Sequence, residues 1–140
     1  APDLEAIVIC PANPYHTIRP ILEVQGMRET LRSRGVPIIA ISPIVGGNAI
    51  RGSAGKMMRE LGHEVSARGV AMEYYRLIDG FVFDREDEAM AEGIGASGFD
   101  VITAATFMRS VDDRVALANT VLDFAAAIRK RQAEEKENAA

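Results

Sequence analysis

Pro37-Ile38-Ile39-Ala40-Ile41, the turn Ser42-Pro43-Ile44-Val45-Gly46-Gly47-Asn48, and a helical pattern from about Ser53 to Leu61 form the stretch on which the reading of this chain depends. The apolar run lacks polar alternation, as a strand buried on both faces does. Ala54, Met57, Met58 and Leu61 recur at i, i+3, i+4 and i+7, so the helix buries one face, its methionines filling core rather than holding a soft metal. A strand that ends in a Gly-rich turn and feeds a helix gathers backbone N–H groups and a positive helix end, which suits a phosphate. The spacing matches neither the dinucleotide fingerprint nor the P-loop, and a plain connection is the alternative. Arg51 and Lys56 lie within about a turn of the helix start, either as counter-charge to an anion or as solvated surface cations.

Outward from this stretch the pattern repeats. Ala6-Ile7-Val8-Ile9-Cys10, Gly80-Phe81-Val82-Phe83 and Asp100-Val101-Ile102-Thr103-Ala104 read as further strands, the first as one covered on both faces. Helices are expected from about Gln25 to Gly35, from Ser66 to Leu77, and after the capping signature Ser110-Val111-Asp112-Asp113. Strands alternating with helices give an α/β fold: an open, mostly parallel, Rossmann-like sheet of three or four strands with flanking helices. Residues 1–128 form one domain or half-domain, and residues 129–140, Arg-Lys-Arg-Gln-Ala-Glu-Glu-Lys-Glu-Asn-Ala-Ala, lose apolar periodicity and are expected to form a polar, disordered tail.

The 140 residues suffice for one domain, and 48% are hydrophobic. A formal charge of -4 argues against a nucleic-acid wrapper. No apolar run is long enough for a membrane span. The single cysteine, Cys10, excludes an internal disulfide and makes a reducing cytoplasm the default location. At the end of a buried strand its thiol reads as an inert small hydrophobe. Two isolated histidines, His16 and His63, make no zinc site and serve no nucleophile elbow. Asp84-Arg85-Glu86-Asp87-Glu88 is a helix cap rather than a metal cluster, and of Tyr74-Tyr75 one ring is core and one surface. Pro11-Ala12-Asn13-Pro14 makes a stiff loop in which the Asn13 amide either faces a ligand or closes its own turn.

Two stretches carry a resemblance. Ile9-Cys10-Pro11-Ala12-Asn13-Pro14, with Pro20-Ile21-Leu22 and Gly26-Met27-Arg28-Glu29-Thr30-Leu31, resembles the middle of the 2-phospho-L-lactate transferases of deazaflavin coenzyme biosynthesis. Ser42-Pro43-Ile44-Val45-Gly46-Gly47, with Gly52 and Lys56-Met57-Met58-Arg59-Glu60-Leu61-Gly62, resembles their second signature, and the likeness continues to Thr106-Phe107-Met108. It implies transfer of a phospholactyl, or related phosphorylated three-carbon acyl, group from a guanosine diphosphate-linked donor to a deazaflavin riboside, with GMP released and magnesium assisting.

On that resemblance Asn13, Ser42, Gly46 and Gly47 line the donor's nucleotide and phosphate pocket, with Arg51 and Lys56 as nearby charge; no residue is assigned to catalysis or to a metal. Departures fall at Ala12, Arg19, Asn48 and Ser53, where the family usually has Ser, Gly, Lys and Pro, and Arg19 is a candidate to replace the missing cation. The family's chain is about twice as long, so this one is expected to be its C-terminal half, completed by an N-terminal half or companion subunit. By itself it is expected to be inactive, and the family's frequent dimers make a homodimer an expectation. The start, Ala1-Pro2-Asp3 without Met, is read as a processed or truncated end. The alternative is a noncatalytic nucleotide or nucleotide-sugar binding regulatory module.

Overall fold

A computed structural model describes residues 3–140, so Ala1 and Pro2, at the end read as processed or truncated, lie outside the described residues. The four expected strands form β1 (Ile7–Ile9), β2 (Ile38–Ile41), β5 (Gly80–Asp84) and β6 (Asp100–Ala104). They pair in that order, all parallel, with Val8 opposite Ile39, Ala40 opposite Phe81 and Val82 opposite Ile102. Sequential order with right-handed crossovers puts every crossover on one face of the sheet. That face carries Ile38, Ala40, Phe81 and Phe83, packed with the connecting segments. Alternate residues Ile39, Ile41 and Val82 point the other way and meet Leu117, Val121, Ala125 and Ile128 of one long helix, α6 (Val111–Asn138).

The connections differ from expectation in instructive ways. Helical structure begins well before Gln25, as a π-helical turn (Pro14–Ile18) that runs into α1 (Arg19–Leu22), and α2 (Met27–Ser33) follows. Asn13 starts it by accepting the N–H groups of Tyr15 and His16, while Pro14 sits where a helix needs no N–H. Between β2 and the next helix the Gly-rich turn is a two-stranded hairpin, β3 (Ile44–Val45) and β4 (Asn48–Ala49), with Val45 paired to Asn48. Gly46 and Gly47 have φ of 55° and 75°, the left-handed pair that a two-residue hairpin turn demands. α3 (Ala54–Glu60) and α4 (Ala67–Glu73) lead to β5. After β5 come a 3-10 turn (Arg85–Met90) and α5 (Ala91–Gly95). Tyr74 is core and Tyr75 exposed, as read from the sequence.

β1 is an edge strand, not one covered on both faces: Val8 is 38% exposed, and Cys10 is exposed beyond the strand's end. The helix also continues where a tail was expected. Residues 129–138 are helical and mostly exposed, their first turns held by an ion pair from Arg131 to Asp100 and by Gln132 Nε2 donating to Asp79 Oδ1 at 3.2 Å. The Asp100 hydrogen bond raises the Arg131 pKa, as fits a held pair. No helix of the described residues is long and apolar enough to cross a membrane.

Candidate functional site

Open parallel sheets bind ligands beyond the carboxyl ends of their strands. There the chain has a cleft of about 260 Å³. Pro11, Ala12 and Asn13 enter it from the end of β1, Pro43, Ile50 and Arg51 from the hairpin segment, Thr106 and Met108 from beyond β6, and Arg114 from the first turns of α6. A larger groove of about 440 Å³, between Arg32 and Gly35 on one side and Gln132 and Lys136 on the other, lies toward the amino ends of the strands, where such folds do not place ligands. Two guanidiniums and no carboxylate line the smaller cleft, although the chain carries a net charge of -4.

Asn13 both closes its turn and reaches across. Its Oδ1 accepts from Tyr15 and His16 at 3.0 and 3.1 Å, while Nδ2 donates to Ser53 Oγ at 3.3 Å and lies 3.2 Å from Met57 Sδ. The amide therefore ties the loop after β1 to the start of α3. Thr106 is buried, and its N–H and hydroxyl both donate to Asp84 Oδ2, at 2.9 and 3.0 Å. Burial alone would push the Asp84 carboxyl up, but the N–H groups of Glu86 and Thr106 and the Thr106 hydroxyl outweigh it and hold its pKa below the usual range. Asp84 thus caps the 3-10 turn, as read from the sequence, and braces the floor of the cleft.

Of the six residues proposed from sequence, Asn13 and Arg51 share the cleft. Ser42 is buried, its hydroxyl accepting from Ile44 N at 3.1 Å and donating to Ile44 O at 3.2 Å, so it braces the turn after β2. Gly46 donates its N–H to Asp87 Oδ2 at 3.0 Å, and Gly47 completes the hairpin turn; neither lines the cleft. Lys56 is exposed on α3, 3.6 Å from Glu60 Oε1. Arg19 does not stand in for a missing cation at the cleft either: its guanidinium is 2.6 Å from Glu73 Oε2, against the ring of Tyr15. Arg114 was missed. Its only local signal is a cation in the first turns of a helix, against the dipole preference.

The family model for 2-phospho-L-lactate transferase CofD matches residues 3–120, which include every cleft residue. The chain belongs to this family. A 2-phospho-L-lactate transferase of Methanocaldococcus jannaschii is 36% identical over 120 residues, covering 86% of this chain and 37% of that protein. One from Methanosarcina mazei is 41% identical over 118 residues, covering 84% and 38%. A phosphoenolpyruvate transferase of Streptomyces griseus is 36% identical over 126 residues, covering 89% and 40%. The CofD-family chain thus matches about two fifths of the length of these relatives.

Proposed function

We propose that the chain is the donor-binding part of a transferase that moves a phospholactyl, or related phosphorylated three-carbon acyl, group from a guanosine diphosphate-linked donor to a deazaflavin riboside. The observation that carries this reading is the cleft at the carboxyl ends of the strands, where Asn13 and Arg51 converge with no carboxylate among the lining residues. In such a transfer an oxygen of the acceptor's primary hydroxyl forms a bond to the donor phosphorus next to the acyl carbon chain. The bridging P–O bond breaks, GMP leaves with its electrons, and the hydroxyl proton passes to solvent. Positioning and charge neutralisation dominate chemistry of this kind, and no protein nucleophile is required.

Magnesium commonly takes one or two carboxylates besides the substrate's phosphates. The cleft lining offers none, and among the described residues no group of three or more His, Cys, Asp or Glu is placed to hold a metal. These residues do not fit the ion by themselves; its ligands, like the acceptor's site, are proposed to come from a companion part of the enzyme. The relatives' names differ in their acyl group, phospholactate in two and phosphoenolpyruvate in one, so both donors are candidates.

Titration calorimetry of the 140-residue chain with GDP and with a uridine diphosphate sugar tests the reading. GDP is expected to bind at least tenfold more tightly. A preference for the sugar nucleotide would favour the noncatalytic regulatory module instead.

A further inference from the structure

We infer that Arg51 and Arg114 together clamp the diphosphate of the donor. The inference rests on the reading of the cleft as the donor's site and names the part of the donor held there. Arg51 follows the hairpin, whose Ile44 and Ala49 pack on the crossover face of the sheet; Arg114 belongs to α6, which covers the other face. Two arginines from opposite layers therefore line one cleft. Among the described residues neither lies within ion-pair reach of a carboxylate. The acid next to Arg114, Asp113, is committed to the helix cap, accepting the N–H groups of Arg109 and Ser110 at 2.8 and 3.0 Å.

A cation this early in a helix opposes the dipole, a cost that a bound anion offsets. Guanidinium forks match phosphate oxygens in pairs, so two forks suit two adjacent phosphates better than one isolated carboxylate. Size agrees: about 260 Å³ falls just short of the roughly 300–1,000 Å³ of a site for a whole organic ligand. The cleft holds a diphosphate, and the guanosine extends out of it.

Calorimetric titration of the chain and its variants with GDP and with inorganic pyrophosphate tests the clamp. Both anions should bind, and Arg51→Gln and Arg114→Gln should each weaken both by about tenfold or more. Arg114→Lys, which keeps the charge and loses the fork, should recover only part of the loss. Lys130→Gln removes the same charge from α6, about 24 Å farther along the helix axis, and should change affinity less than twofold. Both arginines are exposed, and unchanged melting temperatures would show that the variants remain folded. GDP binding left intact by Arg114→Gln would overturn the clamp while leaving the donor reading standing; binding of neither anion by the parent chain would overturn both.

Discussion

The Asp87 carboxylate accepts the N–H of Gly46 at 3.0 Å, and this contact ties the Gly-rich turn to the segment that follows β5. A phosphate cradle needs free N–H groups; here the N–H that the sequence offered to a ligand is bound by a buried acid of the chain itself. The Asp84–Asp87 spacing imitates a capping box, but only Asp84 caps, while Asp87 fastens the hairpin to the 3-10 turn.

Asp87→Ala should therefore lower stability by about 1–3 kcal/mol, because a charge-assisted hydrogen bond is lost. Asp87→Asn, which keeps an acceptor, should cost less. Urea unfolding measures both, as a lower midpoint at unchanged slope. Gly46→Ala should also destabilise, because its φ of 55° is one that a residue with a Cβ adopts only under strain; the exposed Glu86 carboxylate that the new Cβ would meet can swing aside.

A second cluster fixes the connection after β1. Glu73, whose side chain is 13% exposed, accepts from Arg19 Nη2 at 2.6 Å and Tyr15 Oη at 3.0 Å, and His63 Nε2 lies 3.8 Å away. Burial, then the hydrogen bond to Glu73 and its charge, push the Tyr15 phenol well above its ordinary pKa, so the ring stays a neutral donor. Glu73→Ala should cost about 1–3 kcal/mol, since the buried phenol loses its acceptor. Arg19→Gly should cost about 1–2 kcal/mol, up to about 1 for the partly exposed ion pair and about 1 for a glycine in α1, and should leave GDP affinity unchanged. Thermal unfolding and calorimetry check the pair; weaker GDP binding by Arg19→Gly would return that arginine to the donor site.

Asp84 sets an acid limit on the cleft. Its folded pKa lies below the ordinary carboxylate value, so its hydrogen bonds to Thr106 and Glu86 add stability that is fully present above about pH 4 and is lost as pH falls through the folded pKa. Asp84→Asn should be less stable than the parent at neutral pH, and the gap should close below about pH 4. Urea midpoints measured from pH 7 to pH 3 show whether it does. A gap that stays constant would remove Asp84 from this role.

The strands were legible because parallel sheets bury both faces of their inner strands: Ile38-Ile39-Ala40-Ile41 and Gly80-Phe81-Val82-Phe83 read as unbroken apolar runs. The helix start at Ser66 and the cap at Ser110 were legible because the side chain that starts each helix is local. Gly46-Gly47 was misread although Ile44-Val45 before it and Ala49-Ile50 after it carried the hairpin signal; the helix beyond drew the glycines into the wrong turn. Asn13-Pro14 likewise announced a helical start that the second proline, Pro20, obscured. β1 looked fully buried because nothing in three residues tells an edge from a centre. The one local signal of Arg114, a cation in the first turns of a helix, does not single it out, since what makes it a cleft residue is the return of α6 across the far face of the sheet.

The most direct measurement is an amide nitrogen–proton correlation spectrum of the labelled chain titrated with GDP. The account predicts shifts gathered on Ala12 and Asn13, Ile50 and Arg51, and Thr106, with the Gly46 and Gly47 amides little changed. Shifts centred on Gly46 and Gly47, shifts confined to Gly35 and Gln132 in the groove at the other end of the sheet, or no shifts at saturating GDP would contradict it.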